Sequence, residues 1–149
     1  MRTAKIMPPT WLLVAMITML ALHFLIPVAW IISPFWNLTG LILIASGLIL
    51  NLSADKAFHQ IHTTVKPFEE SSSLVTNGVF RISRNPMYLG FVLILTGVAI
   101  LLRTLSPYLV IFAFVIILDK TYVRVEERML AKKFGSSWKR YQSVTRRWL

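Results

Sequence analysis

Four apolar stretches dominate this chain: Trp11–Ile32, Phe35–Leu52, Met87–Leu102 and Tyr108–Val123. About 20 apolar residues in a helix cross the roughly 30 Å hydrocarbon core of a bilayer. The third stretch is short, and a tilt or its flanking residues cover the deficit. Of the 149 residues, 56% are hydrophobic and 15% charged, against about 25% charged in an ordinary soluble domain. Such a chain satisfies its surface by turning much of it toward lipid. The reading is an all-α, polytopic membrane protein of about four transmembrane helices in two tight hairpins. A cytoplasmic C-terminal helical segment over residues 124–149 follows, and residues 1–149 form a single domain. The basic start, Met1 to Lys5, resembles a signal peptide, but the run behind it is too long and lacks a clean cleavage site, so it reads as a retained span.

Charge orients the spans. Every Lys and Arg except Arg103 lies in the N-terminal tail, in the Asn51–Asn85 loop, or in the segment from the end of the fourth span onward. In a four-span topology those regions share one side, which the positive-inside rule makes cytoplasmic, together with both termini. Trp30, Trp36 and Tyr108 fall at the opposite interface, where an aromatic belt belongs. The expected location is the inner or plasma membrane of a bacterium or archaeon.

The helix starts share a pattern: Ser33-Pro34, Asn85-Pro86 and Ser106-Pro107 each place a capping side chain before a proline at the first helical position, and Thr10 offers the same to the first span. No Gly or Pro interrupts residues 119–130, so the fourth helix continues into the cytosol and ends near Phe134-Gly135. From Ser136 onward, Lys139, Arg140, Arg146 and Arg147 alternate with Trp138, Tyr141, Val144 and Trp148, the pattern of an amphipathic segment lying on anionic lipid.

Two clusters on the cytoplasmic side carry chemistry. Arg84 and Asn85 stand at the N-terminus of the third span, where free N–H groups and the helix dipole favour an anion, with Tyr88 one turn further in. Glu126 and Glu127 form a carboxylate pair inside a basic segment. Adjacent helical residues point about 100° apart, so one carboxylate faces the third helix and the other faces loop or solvent. Each cluster also has a plain reading: a cap with a positive-inside arginine, and exposed ion pairs with Lys120, Arg124 and Arg128, which contribute little. Together they place a cation and carboxylates on opposing walls, suited to an amphoteric ligand.

The run from Leu74 to Gly90, LVTNGVFRISRNPMYLG, is followed by Glu126-Glu127 with Leu130, then Phe134-Gly135 and Tyr141. This order resembles the isoprenylcysteine carboxyl methyltransferase and phospholipid methyltransferase superfamily over about the C-terminal half of the chain. The resemblance implies an integral membrane methyltransferase with an S-adenosylmethionine site at the cytoplasmic ends of the last two spans. It assigns Gly78, Arg84, Asn85, Pro86, Tyr88, Glu126 and Glu127 to the cofactor, with Arg84, Glu126 and Glu127 also catalytic. Asn85 departs from the histidine usual in the isoprenylcysteine branch and cannot act as a base. Of the loop histidines His59 and His62, His62 is the better candidate to touch cofactor or substrate, against the plain reading of a solvated loop histidine; His23 reads as a hydrogen-bonded residue inside the bundle.

The implied substrate is lipophilic, either a prenylcysteine-like carboxylate or a phospholipid amine, reached through contact with membrane lipids. Neither nucleic acid nor metal is expected: the chain has no cysteine, and His59 and His62 have no further ligands. Two other readings compete: a nicotinamide-dependent sterol-type reductase, which resembles the same superfamily, and a non-enzymatic membrane protein with a lipid-binding basic tail.

Overall fold

The computed structural model describes residues 6–61 and 72–149. It is all-helical, with helices α1 (Pro8–Leu25), α2 (Thr39–Gln60), α3 (Pro86–Leu102), α4 (Ser106–Leu118) and α5 (Arg124–Val144). Single 3₁₀ turns at Trp36–Leu38 and Gly78–Arg81 precede α2 and α3, and a π turn at Asp119–Val123 joins α4 to α5.

Prolines set the starts of α1, α3 and α4, each at the first or second helical position. A proline also ends α1. Pro27 disfavours helical backbone in the residue before it, and Ile26 leaves the helix at φ −139°. The first span therefore stops well short of the expected Ile32. Beyond it the chain crosses the end of the bundle, where Trp30 and Thr104 form an isolated antiparallel bridge. The Ile31 N–H donates to the Arg103 carbonyl and the Leu105 N–H to that of Ala29, both at 2.9 Å. The second span overruns instead: α2 continues past Leu52 to Gln60 and carries His59 with it. The third matches expectation within one residue.

The expected caps do not form. None of these helices has a side-chain cap hydrogen bond: Ser106 and Asn85 bond across the fold, and α2 starts at Thr39, well past Ser33. Ser106 Oγ accepts from the Val28 N–H and donates to the Ile26 carbonyl, while Asn85 Nδ2 donates to the Arg147 carbonyl at 3.1 Å. Thr10 lies within α1 rather than before it.

Helix α3 is central. Its most extensive partner is α2, while α1 packs on α4 and on α3; α1 and α2 do not pack along one another among the described residues. The expected tight hairpin of the first two spans is thus replaced by an α2–α3 pair. Gly40 and Gly47 of α2 meet Gly97 and Gly90 of α3 in antiparallel register, and a Cβ added at Gly47 would stand 2.6 Å from the Gly90 carbonyl oxygen. Small residues permit this backbone approach, the usual means of packing helices in lipid. The hydrophobic core is built by Met19, Leu95, Ala99, Phe114, Leu118 and Tyr122.

The helices Pro8–Leu25 and Trp36–Gln60 are long and apolar enough to cross a membrane, and only 17% of each such window is buried, unlike the core helix of a soluble protein. Their outward faces, with those of α4, expose Ile17, Ile42, Ile49 and Phe112. An apolar surface on that scale suits lipid.

Helices α4 and α5 run on through the π turn, as the uninterrupted sequence implies, but Gly135 does not end α5. It kinks the helix at φ 47°, ψ −112°, and the chain continues helical to Val144.

Candidate functional site

Three short segments meet at one end of the bundle: the loop 83–85 before α3, the first turn of α5, and the chain's last residues. The Ser83 hydroxyl accepts the Asn85 N–H and donates to the Arg147 carbonyl, both at 3.1 Å. The Arg84 N–H donates to the Arg146 carbonyl at 3.0 Å. Residues 145–147 therefore form a strap across the loop. The second half of α5 anchors it, since Trp138 and Tyr141 are buried against Phe80 and Ala54. Burial pushes the Tyr141 hydroxyl up to about 12, against the lowering effect of Arg84, so it remains a donor, bonding the Phe80 carbonyl at 2.6 Å. The aromatic face expected on lipid is thus packed against the protein, and Lys139 and Arg140 point outward.

Inside the strap lies an ionic lock. Arg84 donates from Nε and Nη2 to Glu127 Oε1 at 3.1 and 3.0 Å, and from Nη1 to the carbonyls of Gln142 and Thr145 at 3.2 and 2.8 Å. Its guanidinium also lies 5.7 Å from the centre of the Trp138 ring. Arg147 takes the other oxygen, Glu127 Oε2, from Nε and Nη2 at 3.1 and 2.7 Å. These hydrogen bonds raise the Arg147 pKa. Asp119, on the π turn, holds Arg124 at 2.6 Å and reaches Arg147 at 3.6 Å. The side chains of Arg84 and Glu127 are only 7% and 9% exposed, where a carboxylate must have its charge and lone pairs satisfied. Two guanidinium forks achieve that.

Glu126 is different. It turns to α3, where the Tyr88 hydroxyl donates to Oε1 at 2.6 Å, and it keeps partial solvent exposure. No cation pairs with it in the described structure. Burial pushes its carboxyl up to about 7, the Tyr88 hydrogen bond opposing the shift. A carboxylate of that affinity can hold a cation or exchange a proton near neutral pH.

The structure thus brings together Arg84, Asn85, Pro86, Tyr88, Glu126 and Glu127. The divergence of the two carboxylates follows the sequence expectation, but Arg84 and Glu127 touch directly instead of facing each other across a gap. The suggested surface pairing of the carboxylates with Arg124 and Arg128 is absent: Arg124 bonds Asp119, and Arg128 Nε donates to the Arg124 carbonyl. Gly78 sits apart, in an exposed turn at φ 60°. His62 lies outside the described residues. His59 is exposed and bonds the Asp55 carbonyl at 2.9 Å, and His23 Nδ1 lies 2.9 Å from the Thr104 hydroxyl, as a structural histidine would. Among the described residues no group of three or more His, Cys, Asp or Glu could hold a metal. Sequence reading missed Asp119 and Arg147. Arg147 had no local signal beyond one more charge in a basic tail, and its partner Glu127 lies 20 residues away.

The chain belongs to the phospholipid methyltransferase family, whose model matches residues 35–137, from just before α2 into α5. The family implies methyltransferase activity in general. An uncharacterized protein of Haemophilus influenzae is 33% identical over 63 residues, which are 42% of this chain and 100% of that protein. No solved structure matches the chain.

Proposed function

We propose that the chain spans the bilayer four times with both termini in the cytoplasm, and transfers a methyl group from S-adenosylmethionine to a lipophilic amine at the cytoplasmic face. Family membership supports the reaction class. The four-span reading draws support from α3, an apolar helix of 17 residues, and from α4, which the π turn lengthens without a break. Among the described residues, the gathering of every Lys and Arg but Arg103 toward the site end supports the orientation.

One observation carries the site assignment: Glu126 is a partly exposed carboxylate with no cationic partner among the described residues, beside a lock in which Arg84, Arg124 and Arg147 are each paired with Glu127 or Asp119. That donor set fits a cationic cofactor. Glu126 would hold the cation, Tyr88 would orient Glu126, and Asn85 and Pro86 would shape the wall at the start of α3. When bound, S-adenosylmethionine supplies an electrophilic methyl group on a sulfonium sulfur. Alignment and desolvation are what the protein adds to such a displacement. Glu126, whose proton affinity burial raises above that of an ordinary carboxylate, can accept the proton that a lipid ammonium must lose before its lone pair can attack. A carboxylate substrate would need a free guanidinium. Arg84 donates from all three of its nitrogens within the protein, which favours the amine and makes Arg84 and Glu127 the frame of the site. Access is sideways from the bilayer, between helices.

The test is transfer of a labelled methyl group by the purified protein into a membrane lipid extract, beside a prenylcysteine analogue. Label in an aminophospholipid is expected. Label confined to the prenylcysteine, or no transfer to either, overturns the proposal.

A further inference from the structure

The chain's last residues lie beyond the family match, which ends at residue 137, yet they complete the ionic lock. After Glu127 the chain has seven Lys or Arg residues and no Asp or Glu. A membrane-facing tail uses such charge without regard to which cation stands where. Arg147 does not fit that description. It makes a two-pronged bond to Glu127 Oε2, reaches Asp119, and brings with it the carbonyls of Arg146 and Arg147, which accept from Arg84, Ser83 and Asn85.

We propose that Arg147 is a positioning residue of this site: it holds Glu127 Oε2 while Arg84 holds Oε1, and so fixes the first turn of α5. Glu126, the preceding residue, is then left aimed at Tyr88 and open to a ligand. The π turn contributes by placing Asp119 beside Arg147 and Arg124, a frequent use of such turns near functional sites. A lysine cannot reproduce the planar fork of an arginine, so the geometry demands the residue and not only its charge. The proposal rests on the methyltransferase reading in taking the ligand of Glu126 to be the cofactor.

The full-length protein in detergent provides the test, with Arg147→Ala, Arg147→Lys and, as control, Arg146→Ala, whose side chain is exposed. The readouts are affinity for S-adenosylhomocysteine, the split between KM for the cofactor and kcat, and amide exchange at Arg84. Arg147→Ala should weaken cofactor affinity and raise KM about tenfold or more, since small misplacements at a site are costly, with a smaller change in kcat. Arg147→Lys should recover only part of the affinity. Arg146→Ala should stay within about twofold of wild type, as surface changes do. The Arg84 amide should exchange faster in Arg147→Ala than in Arg146→Ala. Equal cofactor affinity in those two variants, or full recovery by Lys, overturns the proposal. Should Arg147→Ala not fold, Arg147→Gln is compared with Arg147→Lys by the same readouts. Wild-type protein that binds no S-adenosylhomocysteine would end the methyltransferase reading instead; unchanged exchange at Arg84 would then still refute the hold of Arg147.

Discussion

The two ends of the helix bundle are both polar, and they differ in what they leave over. At the end opposite the site, His23 meets Thr104, Arg103 Nε donates to the Ile32 carbonyl at 3.0 Å and stacks 5.1 Å from the Trp30 ring centre, and Ser106 bridges Val28 and Ile26. These groups close on hydroxyls and backbone carbonyls, with no carboxylate among them. At the site end, carboxylates and guanidinium groups pair, and one carboxylate, Glu126, remains, bonded to the Tyr88 hydroxyl and with no cation among the described residues. A network closed on hydroxyls, backbone carbonyls and an aromatic ring holds helices together; a carboxylate with no cation among the described residues can bind one or exchange a proton.

Removing the centre of the lock should have the largest effect. Glu127→Ala leaves the buried Arg84 without its counter-ion, and loss of about 3–5 kcal/mol is expected from chemical denaturation in detergent. A loss within experimental scatter would mean that the pair does not hold this end. The α2–α3 contact between the two ends comes next. Gly47→Leu puts a side chain where even a Cβ lies 2.6 Å from the Gly90 carbonyl, at an expected cost of about 1–3 kcal/mol, read as a lowered Tm. At the far end, Thr104→Val deprives His23 of its partner, for about 1–2 kcal/mol, and should leave cofactor affinity unchanged. A loss of affinity there would erase the distinction between the ends.

The smallest effect concerns pH. Glu126 is raised from 4.5 to about 7, so between those values the folded protein binds more protons than the unfolded chain. Its contribution to stability is present at acid pH and is lost as pH rises through about 7. Glu126→Gln should flatten the dependence of Tm on pH across that interval, and an unchanged slope would place the titration elsewhere.

The sequence made the helical bundle legible where apolar length and proline agreed. Helix α3 begins at Pro86 and ends one residue before Arg103, whose left-handed backbone at φ 67° terminates it. Length alone failed where apolar residues were not helical: Ile26 to Ile32 are as hydrophobic as a span, but Pro27 releases the chain into a connection paired with Arg103 to Leu105. The glycine register of α2 on α3 was also invisible, because the seven-residue spacing of Gly40 and Gly47 acquires meaning only when Gly90 and Gly97 face it. Of the site, Arg84, Asn85, Tyr88 and the carboxylate pair stood out in the sequence. The capping role given to Asn85 did not survive, since its side chain found a partner 62 residues away. Arg147 and Asp119 were missed because their partners are set by how the strap and the π turn fold.

Thermal stabilisation of the purified protein by S-adenosylhomocysteine, with NADPH as comparison, tests the assignment of chemistry to one end most directly. Wild type and Thr104→Val should both be stabilised by S-adenosylhomocysteine and unmoved by NADPH, and Glu126→Gln should lose the response. No shift in wild type, a shift with NADPH instead, or an undiminished shift in Glu126→Gln would contradict the account.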